Sequence, residues 1–324
     1  MVCRYTKYVF AGHPYPTERA PHKTLHTLAG RTSMRRRSLL VGLSATLGTL
    51  AGCNTTGNES TDPAGTSGPT TDSGFAGMSV PDLPGENEVT WYHESDETTQ
   101  GFVRPSTERT ELPAQIDFTY HNRSQESTSC GHWSLYKLRD DRWFLVGPYG
   151  HDGICHNLPA GESETWTIAA ATGEVDDGDA DRYPYLGGGR YAAVAGYGHA
   201  TAKSAALVEF DAPPVSVVST DDATSDSNGS AVTVTADRWR TADGGERATL
   251  TLERAQTAGR TLIVEQVMRH PNRGYRNLLA FVDEDVERVV LRTDRQTADW
   301  IVDDGETARV RYDDQAYSVT KSEP

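Results

Sequence analysis

Gln115-Ile116-Asp117-Phe118-Thr119-Tyr120 alternates polar and apolar side chains without a break. Successive side chains of an extended chain point to opposite faces, so Ile116, Phe118 and Tyr120 share one face and are expected to meet a core. The same period recurs on either side. Val89 and Trp91 precede the stretch. Trp133 and Leu135 follow, then a polar turn, Arg139-Asp140-Asp141-Arg142, and then Trp143 and Leu145. Trp166 and Ile168 come next, followed by Tyr191, Ala193 and Ala195, and by Val208 and Phe210. That gives about seven short strands separated by turn signals, with weak helical periodicity throughout. The pattern predicts an all-β sandwich over residues 88–218.

Two local motifs refine this expectation. Leu158-Pro159-Ala160-Gly161-Glu162 reads as a turn that launches the Trp166 strand. Leu186-Gly187-Gly188-Gly189-Arg190-Tyr191 has the spacing of a tyrosine corner, in which the hydroxyl, here that of Tyr191, bonds backbone a few residues upstream. With the course Leu135-Tyr136-Lys137, Asp141-Arg142-Trp143 and Leu158 to Glu162, the segment resembles bacterial and archaeal immunoglobulin-like modules. The resemblance implies a fold and no catalytic residues. It departs from antibody domains, since Ala193 stands where their second core cysteine would be.

Residues 219–230, rich in Ser, Thr and Asp, read as a linker, and 231–320 as a small β-rich or α+β domain. Val232 and Val234 with Leu250 and Leu252 suggest a hairpin turning at Asp243-Gly244-Gly245. Leu262 to Met268 suggests a further strand and Asn277 to Glu284 a short helix. Val286 to Val290 and Val310 to Tyr312 return to strand.

Charge divides the 324-residue chain unevenly. Of its 31 Lys and Arg and 46 Asp and Glu, residues 1–53 hold eight basic side chains and one acid, a net of +7. The remaining 23 basic and 45 acidic residues leave −22 on 54–324. Such a surface argues against nucleic acid and anionic membrane as partners. Lysine is scarce, five against 26 arginines. An acid-rich, lysine-poor surface resembles proteins of halophilic archaea, and at ~1 M salt a Debye length of ~3 Å screens its self-repulsion.

The basic part reads as an address. Arg35-Arg36-Arg37-Ser38 precedes a modestly apolar stretch from Leu39 to Gly52, too short for a comfortable transmembrane helix. It resembles a twin-arginine signal, and Leu50-Ala51-Gly52-Cys53 resembles the lipobox of secreted lipoproteins. By that resemblance Cys53 takes a lipid and becomes the first mature residue, with the protein held on the outer face of the membrane. Met34 stands just before the arginines, so residues 34–53 are expected to be the signal and 1–33 a mis-assigned start. The polar tract 54–87 is expected to be a disordered tether. About 32 flexible residues would span roughly 30 Å. Asn54, Asn58, Asn122 and Asn228 each begin a glycosylation sequon.

Cys130 and Cys155 remain as an even pair in an oxidising compartment. A disulfide between them would close a 25-residue loop and stabilise by roughly 3.5 kcal/mol on the chain-entropy model. The alternative is a metal. His121, His132, His151 and His156 crowd around both cysteines, and Cys130, His132, His151, Cys155 and His156 form a donor set suited to zinc or copper. Spacings typical of such sites are missing, and two free thiols stay open as well. Asp177, Asp179 and Asp181 resemble the start of a calcium loop, but Arg182 and Gly188 occupy its glycine and glutamate positions. No nucleophile-elbow, zinc-protease or phosphate-cradling motif occurs. The expected function is therefore non-catalytic and free of cofactors. It is a lipid-anchored surface module for interaction with surface proteins or glycans, or for envelope structure. The alternatives are an extracytoplasmic metal-binding or redox protein built on the Cys/His cluster, and a hydrolase with residues scattered over several strands.

Overall fold

The computed structural model describes residues 72–323 apart from 86–87, 130, 150–155, 176–177, 179, 198–202, 270 and 304–305. All of them belong to one compact unit, Ala64–Pro324. The signal segment with Cys53, Cys130, His151 and Cys155 lie outside the described residues, as do Asn54 and Asn58.

Among the described residues ten strands build the sandwich: β1 (Val89–Trp91), β2 (Gly101–Pro105), β3 (Arg109–Glu111), β4 (Ala114–Asn122), β5 (Trp133–Arg139), β6 (Arg142–Gly147), β7 (Ser163–Ala170), β8 (Asp181–Tyr183), β9 (Gly189–Ala195) and β10 (Lys203–Asp211). One sheet runs β1-β10-β9-β5-β6, with β3 also beside β10; the facing sheet runs β2-β4-β7-β8. The chain crosses between the sheets after each of β1 to β4 and again after β6 and β8, and the result is the β-sandwich expected. Ile116, Phe118 and Tyr120 of β4 are all buried, and they pack with Leu135, Ile168, Tyr191, Val208 and Phe210 in one core. The predicted strands are present. The short β2, β3 and β8 are additional, being too brief or too polar to show a period.

The inner sheet is covered on its second face too. Residues 73–85 lie across it, burying Phe75 and Leu83 against Trp91, Trp143, Ala192, Val194, Ala205 and Leu207. The Trp143 indole donates to the Pro81 carbonyl at 2.8 Å. Here the structure departs from the sequence reading: 72–85, assigned to the tether, are part of the folded body. Phe75 and Leu83, helped by the partly buried Met78 and Val80, suffice because the sheet offers them a complementary apolar face. That second layer also explains the alanines of β9, which is buried from Tyr191 to Ala195.

A third, seven-stranded sheet follows: β11 (Ala223–Asn228), β12 (Ala231–Ala236), β13 (Arg247–Arg254), β14 (Arg260–Thr261), β15 (Arg288–Asp294), β16 (Thr307–Tyr312) and β17 (Gln315–Ser322). Its order is β11-β12-β15-β13-β17-β16-β14. Among the described residues four short α-helices accompany it: α1 (Asp237–Thr241), α2 (Val264–Val267), α3 (Arg273–Leu279) and α4 (Arg295–Asp299). Three expectations are corrected. The 219–230 linker contains β11, which pairs with β12 across Gly229 at φ +63°. The β12 and β13 strands are not a hairpin, because β15 lies between them, parallel to β12 and antiparallel to β13. Residues 264–267 are helical rather than extended. The Gln266 side chain accepts from the Ile263 N–H at 3.2 Å while Val267 N–H reaches the Ile263 carbonyl at 3.1 Å, closing a helical first turn.

Candidate functional site

Sequence-predicted residues fall in three places. The first is the tyrosine corner. Tyr191 is fully buried, and its hydroxyl donates to the Gly187 carbonyl at 2.7 Å, four residues upstream. Burial, with Glu265 nearby, pushes its hydroxyl far above the ordinary tyrosine range, so it stays a neutral donor. Glu265 of α2 reaches this corner from the seven-stranded sheet's side of the molecule. It accepts from Gly187 N–H at 3.2 Å and pairs with Lys137 of β5, whose ammonium also lies 5.2 Å from the Tyr191 ring. Both partners are almost fully buried, at 12% and 5% side-chain exposure. The corner ties Gly187, Tyr191, Lys137 and Glu265 together and so links the two β regions.

The second place is the histidine end of the sandwich. Gly131 and His156 form an antiparallel bridge, with Gly131 N–H donating to the His156 carbonyl at 2.9 Å. The bridge brings the His132 and His156 rings to a centroid separation of 6.2 Å, edge to face. His121 stands apart on β4, its Nδ1 2.8 Å from Ser163 Oγ. Burial, with Arg123 and Arg104 nearby, lowers its pKa. Among the described residues no three His, Cys, Asp or Glu side chains are grouped to hold a metal. Asp181 accepts from the Trp166 indole at 2.5 Å, which gives that aspartate a structural task.

One candidate modification site is corrected by burial. Asn122 is 1% exposed. Its Nδ2 donates to the carbonyls of Glu126, Leu158 and Pro159 at 2.8, 3.1 and 2.9 Å. Its Oδ1 accepts from Ser124 N and Oγ at 3.1 and 2.7 Å. The Asn-Arg-Ser triplet therefore serves as a turn-tying network and offers no accessible amide. Asn228, at the β11–β12 turn, is exposed.

The third place was not foreseen. It is a groove of about 540 Å³ between the sandwich and the seven-stranded sheet, lined by Pro84, Tyr136, Arg142, Trp143, Phe144 and Leu145 on one side. Gly259, Arg260, Thr261 and Gln266 form the other. Gln266 Nε2 donates to the Leu145 carbonyl at 2.9 Å and closes one end. Arg142 stacks 5.4 Å above the Phe144 ring, and Arg260 5.5 Å above Tyr275. Neither has a carboxylate within ion-pair distance among the described residues, in a region whose charge is strongly negative. Beyond the groove, Tyr149 is exposed and lies near Arg269 and Arg260. Arg269 lies 4.0 Å over the Tyr183 ring, with its Nη1 buried and without an acceptor among the described residues. In the sequence Arg142 reads as part of a polar turn and of the Asp141-Arg142-Trp143 course, not as part of a site. What makes it a groove wall is strand order, and no pattern within one strand encodes that.

No protein-family model matches the chain, and no curated protein matches it.

Proposed function

We propose that the protein is a lipid-anchored, non-catalytic surface module, exported with a twin-arginine-type signal and held by an acyl chain at Cys53. The order of features carries this reading: consecutive arginines, a short apolar stretch, Leu50-Ala51-Gly52-Cys53, a polar tract, and a folded body in which Phe75 is already buried. A body that starts near residue 73 leaves about 20 residues of polar sequence after Cys53. The acidic surface suits molar salt, where its repulsion is screened. The module's work is contact with surface proteins or glycans, and the groove is the concave surface that suits it, since ligand sites favour clefts between packed units. Replacing Cys53 by alanine tests the anchor. The reading expects the variant in the medium; full retention at the cell surface would overturn it.

A second reading has one observation in its favour, the 6.2 Å approach of the His132 and His156 rings. With Cys130 and Cys155 on adjoining residues it proposes zinc or copper binding there. Intact-mass measurement of the native chain separates the two. A Cys130–Cys155 crosslink without metal supports the disulfide and removes the metal site. A bound metal ion with both thiols reduced supports the metal site.

A further inference from the structure

We infer that the solvent-facing side of the seven-stranded sheet binds a polysaccharide chain that carries carboxylates. The inference adds a flat surface to the interaction-module reading, on which it rests, and it does not need the groove. It starts from which side of each strand is covered. Val234, Leu250, Leu291 and Val319 are buried on one face, where residues of α2, α3 and α4 complete the core. The positions between them turn to the other face and are half-buried or exposed. There the register sets Thr233, Val290, Thr251, Thr320 and Thr307 side by side on β12, β15, β13, β17 and β16. Neighbouring strands lie about 4.8 Å apart, so Thr251, Thr320 and Thr307 form a row of hydroxyls on three adjacent strands. None of the three hydroxyls has a hydrogen-bond partner among the described residues.

The same face gathers cations in a chain whose residues 54–324 carry a net −22. Arg288 and Arg292 of β15 and Arg309 and Arg311 of β16 are exposed on either side of the threonine row. Glu253 answers Arg288 at 2.7 Å, and Arg311 donates to the Asp314 carbonyl at 2.9 Å. Arg292 and Arg309 have no carboxylate within ion-pair distance among the described residues. The other acids on the seven strands are Asp226, out on the edge strand β11, and Asp294, which is turned to α4 as its cap. A line from Arg292 across Thr251 and Thr320 to Arg309 crosses four adjacent strands, about 14 Å. Guanidinium forks match carboxylates bidentately, and a threonine hydroxyl both donates and accepts. Guanidinium and hydroxyl in one line answer a sugar chain that bears carboxylates and hydroxyls together. The face lacks what other partners use. Among the described residues no aromatic side chain stands at its strand positions to stack a base. Val290 is its one apolar side chain larger than alanine, so it holds no anchor cluster of the kind that carries protein interfaces.

Fluorescence anisotropy of the full chain with a labelled galacturonate octamer tests this. The octamer is expected to bind. A neutral glucose octamer and a glutamate octapeptide each carry half of the required chemistry, and are expected to bind about tenfold more weakly or worse. Arg292→Gln with Arg309→Gln is expected to cost the galacturonate octamer about tenfold or more. Thr251→Val with Thr320→Val removes two hydroxyls while keeping strand propensity, and is expected to cost about fivefold. An unchanged melting temperature of each variant confirms that it folds. No binding of the galacturonate octamer, or equal binding by either variant, would overturn the site. Equal binding of the glutamate octapeptide would overturn the sugar ligand, and equal binding of the glucose octamer would overturn the part given to the arginines. Tighter binding of an oligothymidylate would overturn the polysaccharide in favour of nucleic acid. None of these failures touches the anchor, which the Cys53 variant tests separately.

Discussion

The sandwich and the seven-stranded sheet are built from similar residues, yet they answer differently to the same reading. In the sandwich, each long strand shows one apolar face to a shared core, and Ile116, Phe118 and Tyr120 are buried as their alternation requires. In the second region Val232, Val234, Leu250 and Leu252 alternate just as cleanly and are equally buried. Their strands nevertheless do not pair, because β15, some forty residues further along, inserts between them. Alternation fixes which face of a strand is buried. It carries no information about which strand lies beside it unless a tight turn joins the two. The Asp140-Asp141 turn does so in the sandwich; Asp243-Gly244-Gly245 does not in the second region, where α1 (Asp237–Thr241) leads the chain away first.

The largest expected effect bears on whether the two regions behave as one. Glu265→Gln leaves Lys137 charged and buried against a neutral amide, and is expected to cost about 3–5 kcal/mol. Calorimetry of the wild type should give one transition. The variant should melt earlier, with the two regions separating. An unchanged single transition would show that the joint is unimportant.

Next comes Asn122→Ala, within the sandwich alone. It removes the donor that serves the Glu126, Leu158 and Pro159 carbonyls, and it is expected to cost about 2 kcal/mol in denaturant unfolding. Hydrogen exchange should quicken in β4 and at the turn before β7 while β13 and β15 stay protected. Uniform quickening would mean that the sandwich has no separate local stability.

Tyr191→Phe should cost about 1–1.5 kcal/mol by stranding the Gly187 carbonyl. Phenylalanine keeps the ring packing, so a much larger loss would mean that the hydroxyl also steadies Glu265.

The smallest effect belongs to the second region. Asp294 caps α4, accepting from Thr297 N at 2.9 Å and Thr297 Oγ1 at 2.7 Å. Burial pushes its carboxyl up, but these bonds and the Arg238 charge outweigh burial and hold it below the ordinary 3.8. A depressed folded value adds stability above the unfolded value and loses it as pH falls through the folded one. Asp294→Ala should therefore cost about 1 kcal/mol at neutral pH. The gap from wild type should close as pH drops below 3.8. A gap independent of pH would remove the cap from the account.

How much was legible follows from the same contrast. The strands of the sandwich, the Leu158 turn and the Tyr191 corner were readable because each is a local pattern. The burial of Phe75 and Leu83 was not, since two apolar residues in a polar tract gain their meaning from a sheet face that forms elsewhere. The sequon at Asn122 misled because the triplet fits a modification acceptor and a buried amide network equally well. Arg142 and Arg260 come to line one groove only through tertiary packing, which no pattern within one strand encodes.

Mass spectrometry of the mature protein, extracted from its own membranes, tests the central claim most directly. The account predicts a chain that begins at Cys53 and carries a lipid on that residue. A water-soluble cytosolic chain retaining the residues before Cys53 would contradict it.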